Sequence, residues 1–179
     1  LMVLVLGPPV LTSVAVATRY LQFSRIEDFD SMWTARLISV GSGHLEIVDA
    51  PQGFQKGNGD RVARMRFDPA EYSGWGLDGP YPDWSGLREF TFEVYSDLTE
   101  PVRLVLRIHD RKHNQEYRDR FNTELIVNPG VTVFHIPTAE IERAPAGRRM
   151  DLAAIDGIGL FVVKPKRSFV LYFDAFRLE

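Results

Sequence analysis

From Arg25 onward, hydrophobic and polar positions alternate with a period of two. Ala63, Met65 and Phe67 are separated by Arg64 and Arg66, and Phe90, Phe92 and Val94 by Thr91 and Glu93. Val102, Leu104, Leu106 and Ile108 alternate with Arg103, Val105, Arg107 and His109. That period sets one face of a strand against a core and the other toward water. Runs at 44–48, 120–127, 131–136, 158–163 and 169–178 read the same way. Between them stand Pro69, Ser73-Gly74, Asp78-Gly79-Pro80, Asn128-Pro129-Gly130 and Lys164-Pro165-Lys166, which are turn and breaker signals. Short strands at this cadence predict an all-β fold, a β-sandwich jelly roll of antiparallel sheets. One short helix is expected near Thr138–Arg143, stopped by Pro145. Parallel βαβ units need crossover helices between strands, and the spacing leaves no room for them.

Leu1 to Thr18 breaks this pattern. It carries no charge, and 12 of its 18 residues are Leu, Val, Ala or Met. Its length sits at the lower edge of a membrane span, and Gly7-Pro8-Pro9 is expected to break or kink a helix there. Two readings stand side by side: a truncated membrane anchor or linker, and a proline-interrupted first strand. The chain thus divides into an apolar segment at 1–24 and a β-sandwich domain at 25–179.

Composition narrows the chemistry. The chain has 179 residues, 45% of them hydrophobic and 25% charged, which suits one folded domain and excludes wholesale disorder. A net charge of −3 gives no basic field for nucleic acid. The absence of cysteine removes disulfides, thiolate metal sites and cysteine nucleophiles.

No Gly-x-Ser-x-Gly, phosphate loop or His-Glu-x-x-His motif is present. His109, Asp110 and His113 have some of the ingredients of a metal site, although a solvated charged loop explains them better. Residues 103–120 hold Arg103, Arg107, Arg111, Lys112, Arg118 and Arg120 with His109 and Tyr117 among them. Arginine's planar fork suits carboxylates, sulfates and sugar hydroxyls, so a sheet face bearing Arg64, Arg66, Arg107 and His109 is a candidate groove for a polar or anionic glycan. The competing reading pairs these arginines with acids across strands. Trp84, in Asp83-Trp84-Ser85-Gly86, is expected to plug the end of the core, with Asp83 bonding the turn backbone. Trp75, between Gly74 and Gly76, is the better candidate for an exposed ring that stacks on a sugar.

The run from Asp83 to Tyr95 resembles the opening of galactose-binding-like jelly-roll modules. The resemblance continues through Pro101–Asp110, Tyr117–Asn122, Ile136-Pro137, Ile141–Pro145 and Leu171–Leu178. It is similar to the carbohydrate-binding-module-like domain of bacterial envelope proteins, including the tail of VanZ-like membrane proteins. That likeness implies a non-catalytic β-sandwich outside the cytoplasm, tethered to the membrane through an upstream segment, with a cell-wall polysaccharide or other glycan as partner. It also implies a structural calcium held in part by the aspartate of the final strand. Asp174 matches that position, with Asp28 or Asp30 near it from the first strand. A buried hydrogen-bonded carboxylate is the alternative for Asp174.

The leading expectation is a carbohydrate-binding module using Trp75, Arg107, His109, Tyr117 and Arg120 as ligand residues and Asp30 and Asp174 at the metal. The first alternative is a structural or protein-interaction sandwich, in which those arginines sit in salt bridges and an apolar patch docks a protein partner. The second is a jelly-roll polysaccharide lyase built on Arg107, His109 and Tyr117.

Overall fold

The computed structural model describes residues 8–31, 34–57, 60–80 and 83–179. Leu1–Gly7 of the apolar segment and Trp33 lie outside them. The strands are β1 (Arg25–Glu27), β2 (Ile38–Val40), β3 (His44–Asp49), β4 (Arg61–Phe67), β5 (Tyr72–Asp78), β6 (Glu89–Ser96), β7 (Val102–Asp110), β8 (Phe121–Val127), β9 (Gly130–Pro137), β10 (Ile155–Val163) and β11 (Phe169–Leu178). One sheet runs β3-β4-β11-β6-β9, with β1 also paired to β11. The other runs β2-β5-β10-β7-β8, and every strand pairing is antiparallel.

The alternation read from the sequence sets the inner faces. Ala63, Met65 and Phe67, then Phe90, Phe92 and Val94, are fully buried from one sheet; Leu104, Leu106 and Ile108 meet them from the other. Aromatic rings fill much of the gap, with Phe92 stacked on Phe176 at 5.1 Å and 7°. Strand β11 carries an irregularity between Asp174 and Arg177, with Ala175 at φ +56°. This bulge restores the inward direction for Phe176 and Leu178, which a strict period of two would have turned outward. Trp84 is fully buried and stacks on Phe90, and Asp83 Oδ1 accepts the Ser85 amide at 2.9 Å, as the sequence led one to expect. The short helix α2 spans Thr138–Arg143 and ends before Pro145.

Two expectations need correction. The proline-interrupted first strand is instead a helix, α1 (Pro8–Leu21). Pro8 and Pro9 stand in its first turn, where the amides they lack have no intrahelical partner, so they begin the helix rather than break it. Among the described residues no helix is long and apolar enough to cross a membrane. Helix α1 is pinned by Arg19, which is 1% exposed: Nη2 meets Glu27 Oε2 at 3.1 Å and Nη1 donates to the carbonyls of Asp78 and Gly79. The second correction concerns β5. Its glycines read as breakers in sequence, yet Tyr72–Asp78 is a full inner strand of the five-stranded sheet.

Candidate functional site

The outward positions of the five-stranded sheet fall in rows across the strands. Ser39 on β2 lies beside Gly76 on β5, Gly76 beside Gly159 on β10, Gly159 beside Arg107 on β7, and Arg107 beside Asn122 on β8. The row on one side holds Asp78, Gly157 and His109, and the row on the other Gly74, Phe161, Val105 and Glu124. Two neighbouring inner strands therefore present no side chain at the sheet's centre. Flanking side chains on β2 and β7, roughly 14 Å apart at ordinary strand spacing, leave a cleft of about 900 Å³, a volume in the range of small-molecule sites.

The glycines are not interchangeable. A Cβ at Gly74 would collide with the Leu160 carbonyl and Phe161, and one at Gly76 would lie 2.8 Å from the Ile158 oxygen. A Cβ at Gly157 would enter the His109 ring, so His109 rests directly on that bare backbone. At Gly159 the nearest atom is Arg107 Cβ at 3.7 Å, an ordinary contact. Phe161 and His109 thus cover the floor toward its ends, and Gly76 and Gly159 remain its open part.

Side chains of three kinds stand around this floor. At one end Tyr72, 59% exposed, meets Phe161 edge-to-face at 5.8 Å. Across the sheet Tyr117, 68% exposed, lies under the Arg120 guanidinium at 5.4 Å. The basic pair is Arg107 and Arg120. Arg120 Nε donates to Asn122 Oδ1 at 3.0 Å, whereas Arg107 Nε is buried with no acceptor among the described residues. Burial, and then Arg107 beside it, pull His109 down to a pKa of about 4, so its imidazole is neutral at pH 7.

The loop bearing Tyr117 and Arg120 is held from behind. Arg148 makes a two-pronged contact with Asp110, Nη1 to Oδ2 at 2.6 Å and Nη2 to Oδ1 at 2.9 Å, and its Nε reaches Asp119 Oδ1 at 2.5 Å. Asp119 also accepts the Asn114 amide, and its carbonyl accepts from His113 Nδ1 at 3.0 Å. Burial alone would raise the Asp110 carboxyl, but Arg148 overrides it and holds the group below its ordinary range. Arg148 holds Asp119 well below that range too. These bonds commit Asp110 and His113 to the loop's architecture, and among the described residues no three histidines or carboxylates are grouped to hold a metal.

Arg107, His109, Tyr117 and Arg120 all line the cleft. Trp75 borders it as well, but its indole is 4% exposed and packs edge-on against Phe29, Phe173 and Phe176. It is a core residue and offers no ring face to a ligand. Its glycine neighbours face out because it faces in. Arg64 and Arg66 lie on β4 in the opposite sheet, paired with Glu46 and Asp68, and do not share a face with Arg107. Tyr72 and Phe161 were missed. Phe161's outward parity on β10 was readable, but the register that sets it beside Tyr72 was not.

Asp174 and Asp30 line a second hollow with Asp28, Asp60 and Lys56. Burial raises the Asp174 carboxyl to about 6 despite the amide and ammonium that favour its charge. Its Oδ1 is buried without a hydrogen-bond partner among the described residues. The Lys56 ammonium lies 3.3 Å from Asp174 Oδ2 and 2.8 Å from Glu93 Oε2, while Asp30 Oδ1 accepts the Arg61 amide. Calcium takes six to eight oxygens. Here the lysine stands where the resemblance implies calcium, and as arranged these residues suit an ammonium rather than that ion.

No protein-family model matches the chain, and no curated protein sequence does. Its fold is that of solved carbohydrate-binding modules. The family 11 module from Clostridium thermocellum, in complex with a β-1,3-1,4-mixed-linked tetrasaccharide, superposes with a TM-score of 0.64 at 14% identity, covering 87% of this chain and 94% of that one. The family 30 module of a cellulosomal cellulase from the same organism gives 0.51 at 15% identity, covering 79% and 89%. An exo-β-agarase gives 0.68 at 14% identity, covering 87% of this chain but 24% of the enzyme.

Proposed function

We propose that the chain is a non-catalytic carbohydrate-binding module and that a glycan lies in the glycine-floored cleft. The observation that carries this reading is the open Gly76–Gly159 floor between exposed aromatic residues, on a fold that carbohydrate-binding modules share. Sugar rings have flat apolar faces and polar edges. Tyr72, Phe161 and Tyr117 suit the faces, and Arg107, Arg120, Asn122 and Ser39 suit the edges. A ligand-free interaction domain would have Arg107 and Arg120 tied up with acids, and neither is in an ion pair among the described residues.

The test is calorimetric titration of the full chain with neutral, uronate and sulfated oligosaccharides, repeated with Gly159→Leu. That position accepts a Cβ at ordinary contact distance, so the leucine fills the trough without displacing backbone. Affinity should fall at least tenfold with the melting temperature within about 2 °C of wild type. Undiminished affinity in Gly159→Leu removes the cleft as the site. If no oligosaccharide binds, the module reading fails, and turnover of a uronate polymer would move it to the lyase.

A further inference from the structure

The cleft is basic along one wall only. Arg103, four residues before Arg107, is paired with Glu124 at 3.3 Å, and Arg111, four residues after it, with Asp156 at 3.8 Å. Arg107 and Arg120 lie between those pairs and have no carboxylate at ion-pair distance among the described residues. Among the described residues Arg107 Nε is buried without an acceptor, and Arg120 spends its Nε on an amide oxygen. Two guanidiniums near enough to repel, one half-buried, are costly to hold together in the absence of a counter-charge. Burial and then Arg120 lower the proton affinity of Arg107.

The acids that border the cleft do not relieve this. Glu124 is engaged by Arg103. Asp78 stands on β5, two strands away from Arg107 or roughly 10 Å, and accepts from the Ser39 hydroxyl at 3.3 Å. A guanidinium donates and accepts nothing, so this wall has donors for an oxygen-rich group and no acceptor on the arginines for a sugar hydroxyl's proton. His109 is neutral and adds no charge.

Resting on the module reading above, we infer that the cleft selects glycans bearing an acidic substituent, a carboxylate or a sulfate, seated between Arg107 and Arg120. The anion takes the outer guanidinium nitrogens of Arg107 and Arg120 while its sugar ring lies on the glycine floor. Carboxylate and sulfate share this chemistry, and the experiment separates them.

Binding of the full chain is measured against oligogalacturonate and its carboxyl-reduced form, and against a sulfated galactan oligosaccharide and its desulfated form, at 50 mM and 500 mM salt. At least one acidic oligomer should bind tenfold or more tighter than its neutral counterpart at low salt. That preference should shrink severalfold at high salt, because part of it is Coulombic. Arg107→Gln and Arg120→Gln should each erode the preference, costing the acidic oligomer severalfold more affinity than its neutral counterpart, and melting curves show that both variants are folded. Whichever acidic oligomer prefers the wild type identifies the substituent. If neutral oligosaccharides bind as well as the acidic ones, or the arginine variants keep the preference, this inference is wrong and the module reading survives. If no oligosaccharide of either kind binds, both fall together.

Discussion

Arg148 and Arg107 are the same residue in opposite circumstances, at two ends of one structural argument. Arg148 meets Asp110 through two nitrogens and Asp119 through a third, and the Asp110 side chain it serves is fully buried. Arg107 projects from the same strand as Asp110, three residues earlier, into a cleft where nothing among the described residues accepts its Nε. The first arrangement fixes a loop, because every charge has its complement inside the molecule. The second has no carboxylate at ion-pair distance among the described residues, and on the reading proposed above its complement is the acidic group of a ligand. Pairing, rather than residue type or exposure, separates a structural arginine from one available to a ligand.

The same substitution at both places tests that distinction. Arg148→Met leaves Asp110 buried and charged with backbone amides, those of Asp151 and Lys112, in place of a cation. The cost of breaking such a pair is about 3 kcal/mol, near the low end for buried pairs because Arg148 is 25% exposed. In a domain of this size that corresponds to roughly 10 °C of melting temperature. Binding should weaken as well, since Tyr117 and Arg120 ride on the loop Arg148 holds. An unchanged melting temperature would mean that the network is ornamental.

Arg107→Met is expected to do the reverse. The methionine keeps much of the apolar stem and removes a half-buried cation that is repelled by Arg120 and has no ion-pair partner among the described residues. Stability should stay within about 0.5 kcal/mol of wild type or rise slightly, while affinity for an acidic glycan drops. A large loss of stability would show that Arg107 has an internal partner after all, and the comparison would collapse.

How far the sequence led toward this picture depended on which side of a strand carried the message. β4, β6, β7 and β11 announced themselves because their inward residues are large and apolar. β5 did not, because its outward residues include Gly74 and Gly76, and glycine in a sequence reads as a turn whether it makes one or floors a cleft. The same ambiguity misassigned Trp75: flanked by glycines it looked exposed, whereas alternation buries it. Arg107 and His109 could be placed on one face by parity alone. Arg120 and Tyr117 followed because Phe121 pairs with Ile108 and brings the preceding loop beside β7. The assembly of Tyr72, Phe161 and the bare floor depends on the register among β5, β10 and β7. That register is set by residues far apart in the chain and leaves no local trace. Lys56, likewise, reaches Asp174 from 118 positions away, a meeting no local pattern announces.

The smallest expected effect is a titration. His109 is held near pKa 4 first by burial and then by the Arg107 charge, with His113 and Arg120 pushing the same way and Asp156 opposing them. A histidine depressed in the folded state below its unfolded value near 6.5 binds fewer protons folded than unfolded between those two values. Its contribution to stability is therefore complete above about pH 6.5 and lost as the pH falls toward 4. His109→Gln should flatten that part of the stability profile, read by denaturant unfolding at several pH values. In Arg107→Met one of the two leading causes is gone and burial remains. The His109 imidazole, followed by NMR, should titrate at higher pH than in wild type but still below 6.5. An acidic oligosaccharide bound between the arginines should move it in the same direction, because a neighbouring anion favours the imidazolium. A His109 titration that ignores both the substitution and the bound anion would mean that Arg107 and the ligand do not share the cleft with it. An upward movement in each would place cation, imidazole and anion in one electrostatic unit.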